Sequence, residues 1–239
     1  MNAVAQPSVF SDAVRHFWRS RRGQAEAQVL RGARDQGSRG QVTGGGHLDG
    51  FVVKLSELMV SVGVRPDEIF TGRGLVTIPG FYRPTKQWDM VVRSGDRLLA
   101  AIEMKAQVGS FGNNVNNRAE EAIGNATDFW TAYREGAFKL SPQPWLGYLF
   151  LLQDVPAVRV PIGVRETHFN VFPEFVGASY ARRYELLCEK LVRERQYSSA
   201  CFLLADEAQS DQPSNYVETV PELSASAFID DLLRHVARR

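Results

Sequence analysis

The chain has 239 residues, of which 44% are hydrophobic and 23% are charged, ordinary proportions for a globular protein. No apolar run approaches the roughly 18 residues of a membrane-spanning helix, and the first residues lack the basic and apolar regions of a signal peptide. Only two cysteines are present, which excludes a disulfide framework and a cysteine-rich zinc site. We therefore expect a cytoplasmic protein.

The net charge of +1 does not by itself indicate a polyanionic partner, but the basic residues are unevenly distributed. Only 5 of the 28 basic residues are lysines, and the planar guanidinium groups of the others suit phosphate oxygens and the guanine edge. Codon bias in a GC-rich genome would also produce this composition, so both explanations stay open. The arginine clusters are Arg15, Arg19, Arg21 and Arg22; Arg31, Arg34 and Arg39; and Arg182 and Arg183.

Hydrophobic periodicity and the positions of glycine and proline predict helices around a mixed sheet, an α/β fold. The predicted elements in chain order are a helix over 10–30, a Gly- and Arg-rich loop over 32–46, a helix from Leu48 to Gly63, strands over 75–78, 87–93 and 97–107, a polar loop over 108–117, a helix over 118–135, a strand over 145–153, a helix over 178–195, a strand over 198–205 and a helix over 225–238.

The predicted strand over 97–107 carries the residues that most strongly indicate chemistry. Its even positions are all apolar, whereas Glu103, Lys105 and Gln107 near its end are polar. Because a strand alternates faces with period two, we expect one buried face and one face that presents an acid, a base and an amide together. Asp89 lies on the preceding predicted strand, where pairing across a tight turn can bring its carboxylate to the same site.

Two carboxylates and a lysine are the groups that metal-dependent hydrolysis of a phosphodiester needs. Carboxylate oxygens suit Mg²⁺, and a lysine beside the metal can orient the attacking water. We predict that Asp89 and Glu103 bind Mg²⁺, helped by a backbone carbonyl near Met104, and that Lys105 acts on the water. A surface hairpin with a cross-strand Glu–Lys pair would show the same short pattern, so the surrounding sequence decides between the two.

Other acids and the histidines offer weaker candidates. Asp49 can charge the N-terminus of the second helix or add an acid to the metal site, and Glu57 is a weaker candidate for the same role. Glu120 and Glu121 are predicted at a helix start, where acids are favourable without any function. The four histidines show no ligand spacing, so a histidine-based mechanism is not expected.

The predicted loop over 108–117, together with Arg118, concentrates amide and guanidinium groups directly beyond the candidate site. Asn reads adenine and Arg reads guanine in the major groove through paired hydrogen bonds. A turn-forming loop would also favour Asn and Gly, because both tolerate left-handed backbone. The residues that we predict to contact DNA are Asn113, Asn114, Asn116, Asn117 and Arg118.

Four longer stretches extend these short patterns. They are Gly-Gly-Gly-His-Leu-Asp-Gly-Phe over 44–51, Pro-Gly-Phe-Tyr-Arg-Pro-Thr-Lys-Gln-Trp-Asp over 79–89, Phe-Gly-Asn-Asn-Val-Asn-Asn-Arg-Ala-Glu-Glu-Ala-Ile-Gly over 111–124, and Gly-Ala-Ser-Tyr over 177–180. From about Phe17 to Leu204 the sequence resembles the XhoI family of type II restriction endonucleases, in the PD-(D/E)XK nuclease superfamily. Several long motifs fall in the same order, and the C-terminal 35 residues match no motif of the family.

The resemblance implies a restriction-endonuclease-like α/β fold with a mixed central sheet flanked by helices. It implies that Asp89, Glu103 and Lys105 are the catalytic acids and lysine, and no catalytic position departs from the family pattern. It also implies a homodimer that cuts both strands of a palindromic double-stranded DNA, CTCGAG, with Mg²⁺ and leaves 5′-phosphate ends. A partner DNA methyltransferase would protect the host's own sites.

We predict a single nuclease domain over residues 1–239. Within it, residues 1–47 form the N-terminal helix and the Gly- and Arg-rich loop, residues 48–207 form the catalytic core, and residues 208–239 form a C-terminal loop and helix.

Two other functions stay open. One is a PD-(D/E)XK nuclease of DNA repair or recombination that reads DNA structure instead of sequence, and cleavage of an intact plasmid into discrete fragments would separate it. The other is a DNA-binding regulator that kept the fold and lost catalysis, against which the intact Asp89, Glu103 and Lys105 count.

Overall fold

A six-stranded mixed sheet with helices on both faces forms the centre of the computed structural model, which describes residues 8–30, 46–139 and 141–238. The helices are α1 (Ser11–Leu30), α2 (Asp49–Ser61), α3 (Phe111–Arg134), α4 (Pro156–Arg159), α5 (Tyr180–Arg193) and α6 (Ala225–Val236). The strands are β1 (Ile69–Phe70), β2 (Thr77–Pro79), β3 (Thr85–Gln87), β4 (Met90–Ser94), β5 (Arg97–Gln107), β6 (Trp145–Gln153), β7 (Ser199–Ala205) and β8 (Val217–Glu218). The predicted α/β class is confirmed.

The strand order of the main sheet is β1-β4-β5-β6-β7-β8. The three central strands, β5, β6 and β7, run parallel, whereas β1, β4 and β8 pair antiparallel towards the two edges. Parallel neighbours need crossover connections, which α3 supplies between β5 and β6, and α4 and α5 supply between β6 and β7. β2 and β3 form a separate antiparallel hairpin just before β4.

Two hydrophobic cores lie on opposite faces of the sheet. One face packs against α1, α2 and α6 through side chains that include Phe17, Leu55 and Phe228. The other face packs against α3, α5 and the β2–β3 hairpin through side chains that include Phe129 and Tyr184. Both faces are covered, which explains why the central strands are almost continuously apolar. Within the described ranges, no helix has the length and apolar character needed to cross a bilayer.

Strand β5 has the predicted bounds, but its polar face is not open. Glu103 is 2% exposed and Gln107 is 6% exposed. The reason is that α3 lies over this face, where Asn125 of the helix approaches Glu103. The candidate site therefore lies in a covered position between the sheet and a helix, and not on a surface hairpin.

The strict alternation predicted along β5 is wrong at its start. Val92 of β4 pairs with Ala100, but the next residue of β4 pairs with Leu98. Leu99 is thus the extra residue of a β-bulge, which reverses the faces. As a result Leu98 lies in one core with Ala101, and Leu99 lies in the other.

Several other boundaries differ from the sequence predictions. The predicted strand over 87–93 is divided between β3 and β4, with Trp88 and Asp89 between them. The predicted loop over 108–117 is helical from Phe111 onwards. The short elements β1, β8 and α4 were not predicted, because so few residues show no periodicity. Apart from Gly46, the predicted loop over 32–46 lies outside the described residues.

Arginines in two of the clusters are engaged within the chain. Arg19 Nη2 lies 3.1 Å from Asp211 Oδ1, and Arg182 Nη1 lies 2.7 Å from Glu189 Oε1. Exposed pairs of this kind add little stability, but they occupy groups that would otherwise suit phosphates. The arginines of the remaining cluster, Arg31, Arg34 and Arg39, lie outside the described residues.

Gly147 in β6 provides a test of the core packing. A Cβ atom at Gly147 would overlap the Trp145 ring and lie 3.0 Å from Phe228 Cζ. Gly147→Ala should therefore lower the free energy of unfolding by about 2 kcal/mol, because overpacking a filled core costs about 1–3 kcal/mol. Urea titration measures the difference.

The matched control is Gly124→Ala, since Gly124 lies in α3 with open space around its Cβ position. This variant should gain about 0.5–1 kcal/mol, the usual advantage of Ala over Gly in a helix. Equal stability of Gly147→Ala and the wild type would contradict the packing described at β6.

Candidate active site

Asp89 and Glu103 come together where β4 and β5 pair. Asp89 N donates to Ile102 O at 3.1 Å, and Asp89 Oδ2 accepts a hydrogen bond from Met104 N at 2.6 Å. Burial and then the negative charge of Glu103 raise the pKa of Asp89 to about 6. The two acids predicted from neighbouring strands therefore lie close enough to repel each other.

The buried carboxylate of Glu103 is held by two lysines. Lys86 Nζ donates to Glu103 Oε2 at 2.8 Å, and Lys105 Nζ forms an ion pair with Glu103 Oε1. Asn125 Nδ2 lies 3.5 Å from Glu103 Oε1, and Lys86 Nζ also lies 4.4 Å from the centre of the Trp88 ring. A carboxylate removed from water requires such partners, since an unpaired buried charge is strongly destabilising.

Lys105 is held as a cation between two acids. Its Nζ lies 3.1 Å from Glu121 Oε1, in addition to the contact with Glu103. Burial alone would lower the pKa of Lys105, but the charges of Glu103 and Glu121 raise it above its ordinary value. The pKa of Glu121 is in turn lowered by Lys105 and by Arg118, whose Nη1 donates to Glu121 Oε2 at 2.6 Å, although burial opposes this. The ion pairs with Glu103 and Glu121 therefore favour the protonated, hydrogen-bond-donating form of Lys105.

Helix α3 begins seven residues earlier than the sequence analysis predicted. Gly109 and Ser110 have positive φ angles of 66° and 47°, which turn the chain out of β5. Ala122, Ala126 and Phe129 then recur at helical spacing, and their side chains pack into the core against the sheet. Asn and Gly are poor helix formers, so their abundance hid this helix, and tertiary packing overrides the local preference.

One face of α3 supplies four polar residues whose common orientation the sequence analysis missed. Arg118, Glu121, Asn125 and Asp128 recur at spacings of three and four residues, which places them on one side of a helix. Glu121 lies in the middle of α3, so its assignment to a helix start is wrong. The periodic polar stripe was a signal that could have found Glu121 and Asn125. Nothing local distinguishes Lys86, because its contact with Glu103 joins residues 17 positions apart.

The five predicted DNA-contact residues lie in the first turns of α3, and not in a loop. Asn113, Asn116 and Asn117 are exposed on the outer side of the helix. Asn114 Nδ2 donates to Ser110 O at 2.8 Å, and Arg118 is bonded to Glu121 as described above. The three exposed amides thus face outwards, whereas Arg118 faces Glu121 and the candidate site.

Asp128 connects the site to the β2–β3 hairpin. Its Oδ1 accepts hydrogen bonds from Phe81 N and Tyr82 N, both at 2.8 Å, and its Oδ2 accepts from Arg83 Nε at 2.8 Å. Arg83 Nη2 also donates to Asn125 Oδ1 at 2.7 Å. A continuous chain of contacts therefore runs from the tip of the hairpin to the residues around Glu103.

The donor set suits a hard divalent cation better than zinc. Asp89 and Glu103 offer carboxylate oxygens, which suit Mg²⁺ with several retained waters. Among the described residues, no group of three or more His, Cys, Asp and Glu side chains is placed to hold a metal, so a closed zinc site is not supported there. Asp49 is the first residue of α2, and Glu57 Oε2 lies 3.8 Å from Lys54 Nζ.

Comparisons with known proteins place this arrangement in context. The family model for restriction endonuclease XhoI matches residues 27–217. The chain is 51% identical over 210 residues to the type II restriction enzyme BstVI of Geobacillus stearothermophilus, covering 85% of this chain and 93% of the relative. It is 44% identical to the type II restriction enzyme XhoI of Xanthomonas vasicola, covering 75% and 72%, and 47% identical to AbrI of Azospirillum brasilense, covering 61% and 65%. No solved structure shows a significant match.

Asp128 should make stability depend on pH. Burial would raise the pKa of Asp128, but hydrogen bonds from Tyr82, Arg83 and Phe81 lower it below its ordinary value. Since the unfolded pKa is about 3.9, this stabilisation is fully present above about pH 5 and is lost as the pH falls through the folded-state value. Asp128→Asn should lower the free energy of unfolding by about 2–3 kcal/mol near pH 7. The difference from the wild type should shrink below about pH 4.

Urea titrations between neutral and acid pH measure this difference. Asp96→Asn is the matched control, because the Asp96 side chain is 82% exposed and contacts Arg93 only at 4.0 Å. That variant should stay close to the wild type at every pH. If the free energy of unfolding of Asp128→Asn lies as far below that of the wild type at pH 3 as at pH 7, the charge of Asp128 is not the cause of the difference.

Proposed function

This chain belongs to the restriction endonuclease XhoI family, and we propose that it is a type II site-specific deoxyribonuclease whose catalytic residues are Asp89, Glu103 and Lys105. The resemblance recognised in the sequence motifs is confirmed at the level of the family. Relatives named as type II restriction enzymes support the reaction class. The proposed substrate is double-stranded DNA, and the proposed fold is that of the PD-(D/E)XK nucleases.

The approach of the Asp89 carboxylate to the backbone between Glu103 and Lys105 carries this proposal. Asp89 accepts from Met104 N, which lies between Glu103 and Lys105 in the chain. Like charges brought together in a covered site are typical of functional centres, because they are unfavourable until a cation or a substrate arrives. An ordinary cross-strand ion pair needs one acid and one lysine, and it would not require Asp89 as a second acid.

The residues of the site have separable roles in the hydrolysis. Asp89 and Glu103 would hold the divalent metal, proposed to be Mg²⁺, which when bound stabilises charge on the phosphate and favours ionisation of a water. Lys105 is a cation whose Nζ donates hydrogen bonds, so it orients the attacking water and stabilises negative charge. Glu121 positions Lys105 through the 3.1 Å ion pair. The 3′ oxygen leaves, and the new end carries a 5′-phosphate.

Substitution of the catalytic groups tests these roles. Asp89→Asn, Glu103→Gln and Lys105→Met should each slow cleavage by about 10²–10³-fold or more, the range seen when a group that stabilises the transition state is removed. Each variant should stay folded and keep most of its DNA affinity, although Lys105→Met should lower the melting temperature because it removes a cation beside the buried Glu103 carboxylate. Glu120→Gln is the matched control, since Glu120 is exposed beside Glu121 on α3 and should cleave like the wild type. Wild-type cleavage by Lys105→Met would contradict the assignment.

Digestion of an intact plasmid with Mg²⁺, followed by sequencing of the ends, tests the reaction and the proposed CTCGAG site. Discrete fragments with 5′-phosphates, lost in EDTA, are expected. Smeared or structure-dependent products would favour a repair or recombination nuclease, and intact DNA would favour a regulator without catalysis. Discrete ends at another sequence would keep the enzyme class and overturn CTCGAG.

The outer face of α3 is the proposed DNA-reading surface. Asn113, Asn116 and Asn117 are exposed there, at the start of a helix whose inner face contacts the catalytic lysine. Amides make paired hydrogen bonds with adenine in the major groove. Asn114 and Arg118 contribute if they exchange their contacts with Ser110 and Glu121 for contacts with DNA.

Loss of an amide should weaken specific binding more than non-specific binding. Asn116→Ala and Asn117→Ala should each lower the ratio of cognate to random-DNA affinity by about tenfold, because a paired contact discriminates by about 1–3 kcal/mol. Fluorescence anisotropy with both DNAs measures the ratio. Thr127→Ala, at an exposed position further along α3, is the control. An unchanged ratio in both Asn variants would make this face a scaffold only.

The assembly is proposed to be a cytoplasmic homodimer in which each subunit cuts one strand of a palindrome. A partner DNA methyltransferase would protect host DNA. The chain over 1–239 is proposed to form one nuclease domain, supported by the core that α1, α2 and α6 share with the sheet.

Exposed apolar side chains over 160–176 support a contact surface between the two proposed subunits, and sedimentation measures whether the subunits associate. They are Val160, Phe169, Phe172 and Val176, between 58% and 89% exposed.

A further inference from the structure

Two aromatic side chains project from the tip of the β2–β3 hairpin. Phe81 is 50% exposed and Tyr82 is 70% exposed, although both are large side chains that proteins usually cover. Their rings touch edge to face, with centroids 5.0 Å apart. Adjacent exposed aromatic rings indicate a surface that another molecule covers.

Hydrogen bonds within the turn and to Asp128 fix the backbone that carries these rings. The turn over 80–84 is closed by a hydrogen bond from Gly80 N to Pro84 O at 3.4 Å. The buried carboxylate of Asp128 accepts from both Phe81 N and Tyr82 N. The turn also lies so close to this carboxylate that a Cβ at Gly80 would be 2.6 Å from Asp128 Oδ2. The rings are therefore presented on a pre-organised support, which lowers the entropy lost on binding.

The same turn is joined to the catalytic centre by two routes. Lys86, four positions after Tyr82, bonds Glu103 at 2.8 Å. Arg83 bonds Asn125 at 2.7 Å, and Asn125 approaches Glu103. At about 3.3 Å per residue in an extended chain, the Cα atoms of Tyr82 and Lys86 lie within roughly 13 Å of each other. That distance corresponds to about four base-pair steps of DNA.

We propose that Phe81 and Tyr82 form an aromatic wedge that enters a groove of the bound DNA and stacks against bases within a few steps of the cleaved phosphate. The inference rests on the proposed function, since the ligand is the duplex that the enzyme cuts. Apolar and aromatic side chains that insert between base steps unstack the bases and bend the duplex. Stacking of a base on an aromatic ring does not depend on which base is present. The network through Arg83 and Asn125 holds the wedge in a constant position relative to Glu103.

The wedge is tested with a short duplex that carries 2-aminopurine at successive positions in and beside the cleaved sequence. Ca²⁺ replaces Mg²⁺ so that the DNA stays intact. With the wild type, fluorescence of the probe should rise at one or two positions where the base is unstacked. In the double variant Phe81→Ala/Tyr82→Ala this rise should disappear, and affinity should fall by about tenfold or more.

Two further variants distinguish loss of the wedge from a general loss of folding. Asp128→Asn keeps both rings but weakens their support, so it should reduce the fluorescence rise while retaining part of the affinity. Val217→Ala removes an apolar side chain that is 48% exposed on β8, the opposite edge of the sheet, and should behave like the wild type. Thermal melting shows whether each variant is folded.

The outcomes distinguish the wedge from the proposed function. If the wild type cleaves DNA and the double variant binds equally well with the same fluorescence rise, the wedge is overturned and the nuclease function stands. If the double variant loses only subunit association in sedimentation and keeps the fluorescence rise, the rings form a protein contact and the wedge is again overturned. If the wild type does not cleave DNA, the nuclease function fails, while the fluorescence assay still decides about the wedge.

Discussion

The burial of one carboxylate, that of Glu103, sets the arrangement around it. A charge taken out of water costs several kcal/mol unless cations and hydrogen-bond donors surround it. Here the donors come from three separate elements, because Lys86 lies on the hairpin, Lys105 lies on β5 and Asn125 lies on α3. Each of these elements must dock correctly before Glu103 is satisfied. The candidate site and the close fit of hairpin, sheet and helix are therefore one structural requirement.

This arrangement of charged groups lowers the stability of the folded protein. Burial and, after it, the charge of Glu103 raise the pKa of Asp89, so keeping its carboxylate ionised there costs folding free energy. A core of apolar residues would be more stable at the same place. Helices cover both faces of β5, and its residues Ala100 to Ile102 pair with β4 on one side and β6 on the other, which offsets this cost.

Helix α3 has several roles because its faces differ. Its apolar face packs on the sheet, one polar face supports Lys105 and the hairpin through Glu121 and Asp128, and the exposed amides lie on its outer side. A rigid helix that contacts both Lys105 and the surrounding solvent would keep the proposed DNA contacts and the proposed catalytic groups in a constant relation. The hairpin tip is held against the same helix, because Arg83 forms an ion pair with the buried carboxylate of Asp128.

The sequence by itself determined the features that depend on neighbouring residues. The bounds of β5, the pairing of Glu103 with Lys105 on one strand face, and the longer helices and strands follow from periodicity, and the long motifs identified the family. Only the tertiary structure decided that the Asn-rich stretch is helical, since packing of Ala122 and Ala126 overrides the weak helix preference of Asn and Gly. The bulge at Leu99 and the approach of Lys86 and Glu121 to the site were likewise not predictable. They depend on pairing and docking between distant segments, for which local spacing carries no signal.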